Sequence, residues 1–307
     1  MIMNPIIEVE GLTCRFGQVE AVKNLTFSVP EGSVYAFLGT NGAGKTTTIQ
    51  TLLNLNQPKS GTVRVLGLPA SQLGSKELAQ IGYVSENQKL PERLTVKELI
   101  DYCRSLYPTW DEALCRRLQE LLSLPLDRKI KTFSRGMKIK AAFLASLAPR
   151  PQLLILDEPF SGLDPLVRDE LIQALLELFE QEKWTVFLSS HDIDEVERLA
   201  DWVGIIDHGR LCLSEPVETL RNRFRRIDVT LRDSLVTLGS LPKGCLLPEV
   251  SGMAARWIAN HYADEEAQNE EIKSHFPDGT AYSATPLTLR EIFIAVMRAL
   301  RTHPAPL

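Results

Sequence analysis

Short apolar runs alternate with amphipathic segments along most of the chain. Runs rich in Val, Ile, Leu and Phe are typical of β-strands, and they occur at residues 6–9, 14–16, 25–29, 33–38, 62–66, 81–84, 153–156, 184–188 and 203–207. Segments with helical spacing lie between several of them, at residues 45–55, 165–182 and 193–200. Strands that alternate with helices predict an α/β fold, with a mostly parallel sheet covered on both faces.

The pattern is purely helical between about residues 90 and 150. We predict helices at 95–106, 111–124 and 135–148. Thr95 is followed three residues later by Glu98, which is the spacing of a capping box. Such a box satisfies free backbone N–H groups where a helix starts. The block is therefore predicted to be a helical insertion between strands of the sheet.

After about residue 220 the alternation stops. Weaker strands at 227–231, 245–249, 254–259 and 280–284, with helices at 263–276 and 288–300, predict a small α+β domain over residues 221–307. Apolar residues of the last helix follow three- and four-residue spacing, which gives the helix one apolar face. We expect this face to pack within its own domain; a dimer contact or a regulatory surface is the alternative.

The composition is that of a folded protein with two domains. The chain has 307 residues, of which 44% are hydrophobic and 24% are charged. One average domain has about 100–200 residues, and these percentages exclude intrinsic disorder. The formal net charge is −5, and because nucleic-acid binding requires a basic face, no nucleic-acid partner is expected. The basic run at 221–226 is interpreted as a solvated helix end rather than a contact with lipid or nucleic acid.

Membrane-spanning and secreted classes are also disfavoured. No apolar stretch approaches the ~20 residues that cross a bilayer, and the first ten residues lack the basic region of a signal peptide. The five cysteines include no Cys-x-x-Cys pair, which indicates reduced thiols rather than disulfides or a zinc site. We therefore expect a cytoplasmic location.

A glycine-rich segment lies between a predicted strand and a predicted helix. Residues 39–46 match the pattern G-x-x-x-x-G-K-[ST]. Glycines let backbone N–H groups turn inward around a polyphosphate, and the helix start adds its positive dipole end. Lys45 would reach the β- and γ-phosphates, and the Thr46 hydroxyl would bind Mg²⁺. A glycine-rich turn that binds nothing is the alternative, and the strand–loop–helix context disfavours it.

Two carboxylates follow the apolar strand at 153–156. Ligands of open α/β sheets bind beyond the carboxyl ends of parallel strands, which is where Asp157 and Glu158 would lie. Asp157 is expected to hold Mg²⁺, and Glu158 to polarise a water for attack on the γ-phosphate. A solvated charge pair at a strand end is the alternative, and the earlier phosphate loop makes it the weaker one.

Two further segments complete a family resemblance. Residues 133–137 read Phe-Ser-Arg-Gly-Met before the carboxylate strand, and residues 161–164 read Ser-Gly-Leu-Asp after it. With the phosphate loop, this ordered set resembles the nucleotide-binding subunits of ATP-binding-cassette (ABC) transporters over roughly residues 5–220. The resemblance implies a P-loop ATPase cassette over residues 1–220, with an antiparallel N-terminal sheet, a mostly parallel core sheet and a helical subdomain, followed by an accessory domain at 221–307.

In this family two subunits enclose two ATP molecules with Mg²⁺. The resemblance implies that one subunit holds ATP through Gly39, Asn41, Gly42, Ala43, Gly44, Lys45, Thr46 and Thr47. Ser134, Arg135 and Gly136 of the other subunit would contact the γ-phosphate, and Ser134 is also a good N-cap for the helix that follows. Arg135 and Met137 replace the family's common Gly and Gln, a variant that resembles ABC-2-type exporters. Whether Arg135 contacts phosphate or only solvent stays open.

Four other positions match motifs of the family. His191 corresponds to the switch histidine that senses the γ-phosphate, and Asp164 to the aspartate that couples the two sites. Phe16 corresponds to the aromatic residue that stacks on adenine; the alternative is a strand residue in a small core. Glu86 stands where the family usually has Gln and is expected to bind Mg²⁺, with a solvated loop residue as the alternative.

The resemblance implies an ATP-hydrolysing subunit that powers export through a separate integral membrane permease. The insertion around residues 86–106 would transmit the motion, and the subunits would form a homodimer or heterodimer on the cytoplasmic face of the membrane. An importer ATPase is one alternative, which Arg135 and Met137 disfavour. A soluble ABC ATPase that acts on ribosomes or DNA is another, and the single cassette without coiled-coil heptads disfavours it.

Overall fold

The computed structural model describes residues 5–231, 241–242, 245–276 and 281–302. The chain divides into two compact units, Met1–Leu211 and Cys212–Leu307. The boundary predicted after residue 220 lies inside a short helix of the second unit. In the described part of the chain, no helix is both long and apolar enough to span a bilayer.

The first unit contains most of the described strands and helices. Its strands are β1 (Pro5–Phe16), β2 (Val19–Pro30), β3 (Val34–Leu38), β4 (Ser60–Val65), β5 (Leu68–Pro69), β6 (Ile81–Ser85), β7 (Leu153–Asp157), β8 (Thr185–Ser190) and β9 (Trp202–Asp207). Its helices are α1 (Lys45–Leu52), α2 (Ser75–Leu78), α3 (Val96–Leu106), α4 (Glu112–Leu121), α5 (Arg135–Leu147), α6 (Pro165–Glu182) and α7 (Ile193–Leu199).

The N-terminal sheet is antiparallel, in the order β2-β1-β4-β5. Strand β1 is continuous, whereas the sequence predicted two separate strands at 6–9 and 14–16. The pairing of β1 with β2 shifts register between Val9 and Leu12 and again after Leu12, and Gly11 has a φ of 58°. Because these bulges interrupt the inward–outward alternation, the apolar pattern breaks although the strand does not.

The core sheet is parallel and follows the order β9-β3-β8-β7-β6. A further strand, β10 (Arg210–Pro216), follows β9 at the edge of this sheet. Every residue of β3, β7 and β8 is buried, as expected for strands covered on both faces. The predicted α/β class is therefore confirmed. In register, Asp157 at the end of β7 pairs with Ser189 of β8 and with Ser85 of β6, so the loops after these strands meet.

Two apolar layers enclose the core sheet. One contains the N-terminal sheet, α1 and one face of the core strands, including Phe37 and Phe187. The other contains the insertion helices α3, α4 and α5 together with α6. The predicted insertion is present, and its capping box is confirmed, since the Glu98 backbone N–H donates to Thr95 Oγ1 and Thr95 N–H donates to the Glu98 carboxylate.

After β10, the described part of the second unit has four antiparallel strands and three helices. These are α8 (Val217–Arg223), β11 (Arg225–Thr230), β12 (Leu246–Ser251), β13 (Ala254–Ala259), α9 (Glu265–His275), β14 (Ala281–Pro286) and α10 (Leu289–Thr302), with the sheet order β12-β13-β11-β14. Helix α9 contributes Ile272 to the apolar core over β11 and β13. The sequence analysis did not predict β10 and α8, which carry few apolar residues. The strand predicted at 280–284 corresponds to β14, and its first residue, 280, lies outside the described residues.

The last helix buries its apolar face within the second unit. Leu289, Ile292 and Val296 of α10 are fully buried, and α10 contacts α8 and β12. This is the packing that the sequence favoured over a dimer contact. The basic run at 221–226 is only partly a solvated helix end, because Arg223 pairs with Glu215 and Arg226 pairs with Glu291.

Candidate active site

The phosphate loop connects β3 to α1 and depends on two crowded glycines. A Cβ on Gly39 would lie 2.5 Å from the carbonyl oxygen of Ile206, and a Cβ on Gly44 would lie 2.6 Å from that of Ala21. Gly44 also has a φ of 108°, which side-chain-bearing residues rarely adopt. Glycine at these two positions therefore lets the loop approach its neighbouring strands and turn into the start of α1.

Lys45 is the first residue of α1 and is only 5% exposed. Its Nζ donates to the carbonyl oxygens of Gly39 at 2.6 Å and Thr40 at 3.1 Å. The same Nζ lies 3.0 Å from Glu158 Oε1. A buried ammonium is costly unless it is paired, so these three oxygens fix the charge of Lys45 within the loop.

Asp157 is held by two hydroxyl groups from other elements. Thr46 Oγ1 donates to Asp157 Oδ1 at 3.1 Å, and Ser189 Oγ donates to the same oxygen at 2.7 Å. Burial raises the pKa of Asp157, while the hydrogen bonds from Ser189 and Thr46 oppose that rise. The negative charge of Glu158 also raises the pKa of Asp157, and the positive charge of Lys45 lowers it.

Glu158 is held in place by its backbone and by His191. Its φ of 51° is in the left-handed region, and its N–H donates to both the carbonyl oxygen and Oγ of Ser189. Oε2 lies 2.7 Å from His191 Nδ1. Oε1 is buried and forms no hydrogen bond. It still forms an ion pair with Lys45, because an ion pair depends on distance more than on angle. That oxygen therefore retains an open acceptor position.

A cavity of about 260 Å³ lies over these groups. It is lined by Ala21, Asn41, Gly42, Gly44, Lys45, Thr46, Thr47, Glu86 and Glu158. The structure thus brings together the phosphate loop, Glu158 and Glu86 around one cavity, as the sequence predicted. Glu86 follows β6, and its Oε1 accepts from Ser161 Oγ at 2.9 Å and from Arg135 Nη2 at 3.3 Å.

The remaining predicted residues lie outside the lining of this cavity. Ser134 and Asp164 are exposed N-caps of α5 and α6, and they accept from the N–H groups of Met137 and Val167. A Cβ on Gly136 would lie 2.6 Å from Val167 Cγ1, so this glycine lets α5 approach α6. Phe16 is 51% exposed, which contradicts its alternative interpretation as a core residue.

Some residues of the site were not assigned a role from the sequence. Ser189 binds Asp157 and the backbone of Glu158, and Ser161 binds Glu86. Behind His191, Ser190 Oγ donates to the buried Glu195 at 2.7 Å. Two serines at the carboxyl end of an otherwise apolar strand were the available signal, since polar side chains at that position are seldom structural in a buried strand.

The donor set also fits a magnesium ion. Mg²⁺ prefers oxygen ligands and is usually held by one or two carboxylates together with the phosphates of its substrate. Thr46 Oγ1 and Asp157 supply converging oxygens, and Glu86 adds a carboxylate at the cavity. Among the described residues, no group of three or more His, Cys, Asp or Glu side chains is arranged to hold a metal ion.

A glycine-rich loop between a parallel strand and a helix, with two carboxylates at the carboxyl end of another parallel strand of the same sheet, defines a P-loop ATPase. A family model described as ABC transporter matches residues 22–161, and one described as an AAA domain, putative AbiEii toxin, matches residues 126–197. The bacitracin transport ATP-binding protein BcrA of Bacillus licheniformis is 35% identical over 73% of this chain and 74% of its own. The lantibiotic transport ATP-binding protein SrtF of Streptococcus pyogenes is 32% identical over 71% of this chain and 93% of its own.

The solved structures agree with the sequence relatives. One described as an ATP binding subunit of an ABC transporter is 30% identical, has a TM-score of 0.63 and covers 70% of this chain and 92% of its own. The chain therefore belongs to the ATP-binding subunits of the ABC transporter family. It is an ATP-binding ATPase of this family, as the resemblance implied.

Proposed function

We propose that this ATPase is the motor of an exporter and drives a separate integral membrane permease. The observation that carries the proposal is the placement of Glu158, which is fixed between Lys45 and His191 at the edge of the phosphate-loop cavity. The direction of transport rests on a relative whose name is Nod factor export ATP-binding protein I, while the two relatives above are named for bacitracin and lantibiotic transport. The membrane permease would select the transported substrate.

ATP would bind with its phosphates in the cavity over the loop. Backbone N–H groups of residues 39–47 and the start of α1 supply the anion-binding dipoles, and Lys45 supplies a fixed positive charge. Phe16, at the exposed end of β1, would stack on the adenine. Thr46, Asp157 and Glu86 would hold Mg²⁺, which neutralises phosphate charge when bound.

Hydrolysis would use Glu158 and His191. Glu158 would accept a hydrogen bond from the attacking water and take its proton, since one of its carboxyl oxygens is buried without a hydrogen-bond partner. His191 orients the other oxygen at 2.7 Å. Ser189 accepts a hydrogen bond from the Glu158 backbone N–H, so this carboxylate is preorganised for the reaction.

A second cassette, identical or related, would complete the site. Ser134, Arg135 and Asp164 are exposed at the starts of α5 and α6, where helix dipoles favour an anion. Ser134 and Arg135, together with Gly136, would face the nucleotide bound by the other subunit, and Asp164 would couple the two sites. The pair of cassettes would lie on the cytoplasmic face of the membrane.

The membrane partner would dock on the helical insertion. Tyr102 and Leu106 lie one turn apart on α3 and are 54% and 56% exposed. Neighbouring exposed apolar residues on one helix face are typical of a surface that a partner covers. This surface follows the Glu86 loop along the chain, so it is suited to carry nucleotide-dependent changes to the permease.

Recovery of the tagged chain from gently solubilised membranes tests the proposal. We expect an integral membrane protein to copurify with the wild-type chain, and the double variant Tyr102→Glu/Leu106→Glu to lose it while retaining ATP binding. Leu55→Glu is the matched control, because Leu55 is 65% exposed and lies after α1 rather than on the insertion. A wild-type chain that copurifies with no membrane protein would contradict the motor assignment.

A further inference from the structure

Arg135 forms an ion pair with Glu86 of the same subunit. Their closest atoms, Arg135 Nη2 and Glu86 Oε1, are 3.3 Å apart. The two residues come from separate parts of the fold, because Arg135 begins α5 in the insertion and Glu86 follows core strand β6. The pair therefore connects the insertion to the loop that borders the phosphate cavity.

A neighbouring loop is shaped to accept this pair. Ser161 Oγ donates to the same Glu86 oxygen at 2.9 Å. Gly162 has a φ of 67°, and a Cβ there would lie only 2.9 Å from Arg135 Nη1. The absence of a side chain at Gly162 thus leaves room for the guanidinium, while Ser161 fixes the carboxylate that the guanidinium meets.

The position of Glu86 creates an electrostatic conflict. Its carboxylate lines a cavity whose glycines, lysine and helix start suit a polyphosphate. A second negative charge beside phosphate is unfavourable unless a cation lies between them or close by. Two cations can neutralise the charge of Glu86, namely the guanidinium of Arg135 and the divalent cation that accompanies ATP.

We propose that Arg135 is a positioning residue that competes with the divalent cation for Glu86 and thereby lowers the metal affinity of the nucleotide site. The inference rests on the proposed binding of ATP and Mg²⁺ in this cavity. Without metal, Arg135 neutralises the charge of Glu86 and so increases the affinity of the site for nucleotide. When the cation engages Glu86, the guanidinium is released at the exposed start of α5, beside Ser134.

The exposure of the pair makes such an exchange feasible. Both side chains are partly solvated, and an exposed ion pair changes an equilibrium by about fivefold or less. A divalent cation bound with ATP can displace a contact of that strength. The pair is therefore suited to adjust metal affinity rather than to block metal binding.

The experiment measures Mn²⁺ binding by the electron paramagnetic resonance signal of the free ion. It uses the full chain saturated with the non-hydrolysable analogue AMP-PNP, so turnover plays no part. We expect Arg135→Gln to tighten Mn²⁺ binding about threefold and to weaken AMP-PNP binding in EDTA by a similar factor. Arg135→Lys, which keeps the charge, should restore both values toward those of the wild type.

Lys138→Gln is the matched control. Lys138 lies one turn further along α5 and pairs with the exposed Glu92 at 2.7 Å, so its loss removes a similar ion pair away from the cavity and should leave Mn²⁺ affinity unchanged. Glu86→Gln should weaken Mn²⁺ binding and abolish the effect of Arg135→Gln. Equal Mn²⁺ affinity in the wild type and Arg135→Gln would overturn the inference. Failure of the wild type to bind MnAMP-PNP would instead overturn the proposed function on which it rests.

Discussion

His191 Nδ1 lies 2.7 Å from Glu158 Oε2, and this contact joins the ends of two neighbouring parallel strands. His191 thereby holds the carboxyl group of Glu158, and Ser189 holds its backbone N–H. Its other oxygen lies near Lys45 without a hydrogen bond. A carboxylate restrained on one side and open on the other is suited to orient a single water molecule.

Glu158→Gln should retain ATP binding and lose turnover. The amide fills the same space but cannot take a proton, and general-base catalysis contributes roughly 10²- to 10⁴-fold in rate. We expect kcat to fall by about that factor. The ATP Kd should stay within about threefold, because the substitution keeps the size of the side chain and the loss of one negative charge near the phosphates does not weaken their binding. Steady-state ATPase assays and nucleotide titrations measure both. Glu92→Gln is the exposed control, and unchanged kcat in Glu158→Gln would refute the role of Glu158.

Lys45→Ala should abolish tight nucleotide binding. The buried ammonium is the fixed cation of the loop, and a hydrogen bond between charged groups contributes ~1.5–3 kcal/mol, which corresponds to roughly 10- to 100-fold in Kd. Isothermal titration with MgATP measures this loss. Lys59→Ala removes an exposed lysine that pairs with Glu20 and should bind normally. Retention of tight MgATP binding by Lys45→Ala would count against the assignment of the phosphate loop.

The sequence predicted the groups that local pattern determines. Lys45 and Thr46 follow from the loop spacing, and Asp157 and Glu158 from their place after an apolar strand, because parallel strands present their carboxyl ends at one edge. The two serines at the end of β8 could have marked Ser189 as a site residue, but its pairing with Asp157 was not predictable, since it depends on the register of β7 with β8. The pairing of Glu86 with Arg135 also depends on tertiary structure, because 49 positions separate the two residues.

The N-terminal strand β1 shows a second limit of prediction from the sequence. Gly11 and the register shifts around Leu12 make β1 look like two strands in the sequence. A bulge adds a residue without ending the strand, and therefore changes the apolar period without changing the fold. The helix starts were easier to predict, because the caps at Thr95 and Ser134 are local hydrogen bonds within a single turn.

Ser189→Ala tests the residue that the sequence did not identify. Its hydroxyl donates to Asp157 and accepts from the Glu158 N–H, so its loss leaves buried groups unpaired at a cost of ~1–3 kcal/mol. We expect lower stability to urea and a larger fall in kcat than change in the KM for ATP. Ser33→Ala is the control, because Ser33 is also buried and donates to Pro30 O at 2.7 Å but lies away from the cavity. Equal kcat losses in the two variants would contradict a specific role.

Glu195 gives the first unit a pH-dependent stability. The carboxyl is buried on α7, accepts from Ser190 Oγ at 2.7 Å and lies 3.5 Å from Arg168. Its pKa is raised from 4.5 to about 7, chiefly by burial and also by the negative charges of Asp192 and Glu158, although the Ser190 hydrogen bond and the positive charge of Arg168 oppose the rise. The folded state therefore holds a proton that the unfolded state releases near pH 4.5.

The sign of the effect follows from this difference in proton binding. The contribution of Glu195 to stability is complete below the unfolded pKa and is lost as the pH rises through about 7. Glu195→Gln keeps a neutral hydrogen-bonding group and cannot ionise. Relative to the wild type, this variant should gain up to about 3 kcal/mol in free energy of unfolding between pH 5 and pH 8. Urea titrations at both pH values measure the gain, and Glu180→Gln on the exposed face of α6 is the control. A difference between Glu195→Gln and the wild type that is the same at both pH values would show that Glu195 does not titrate in this range.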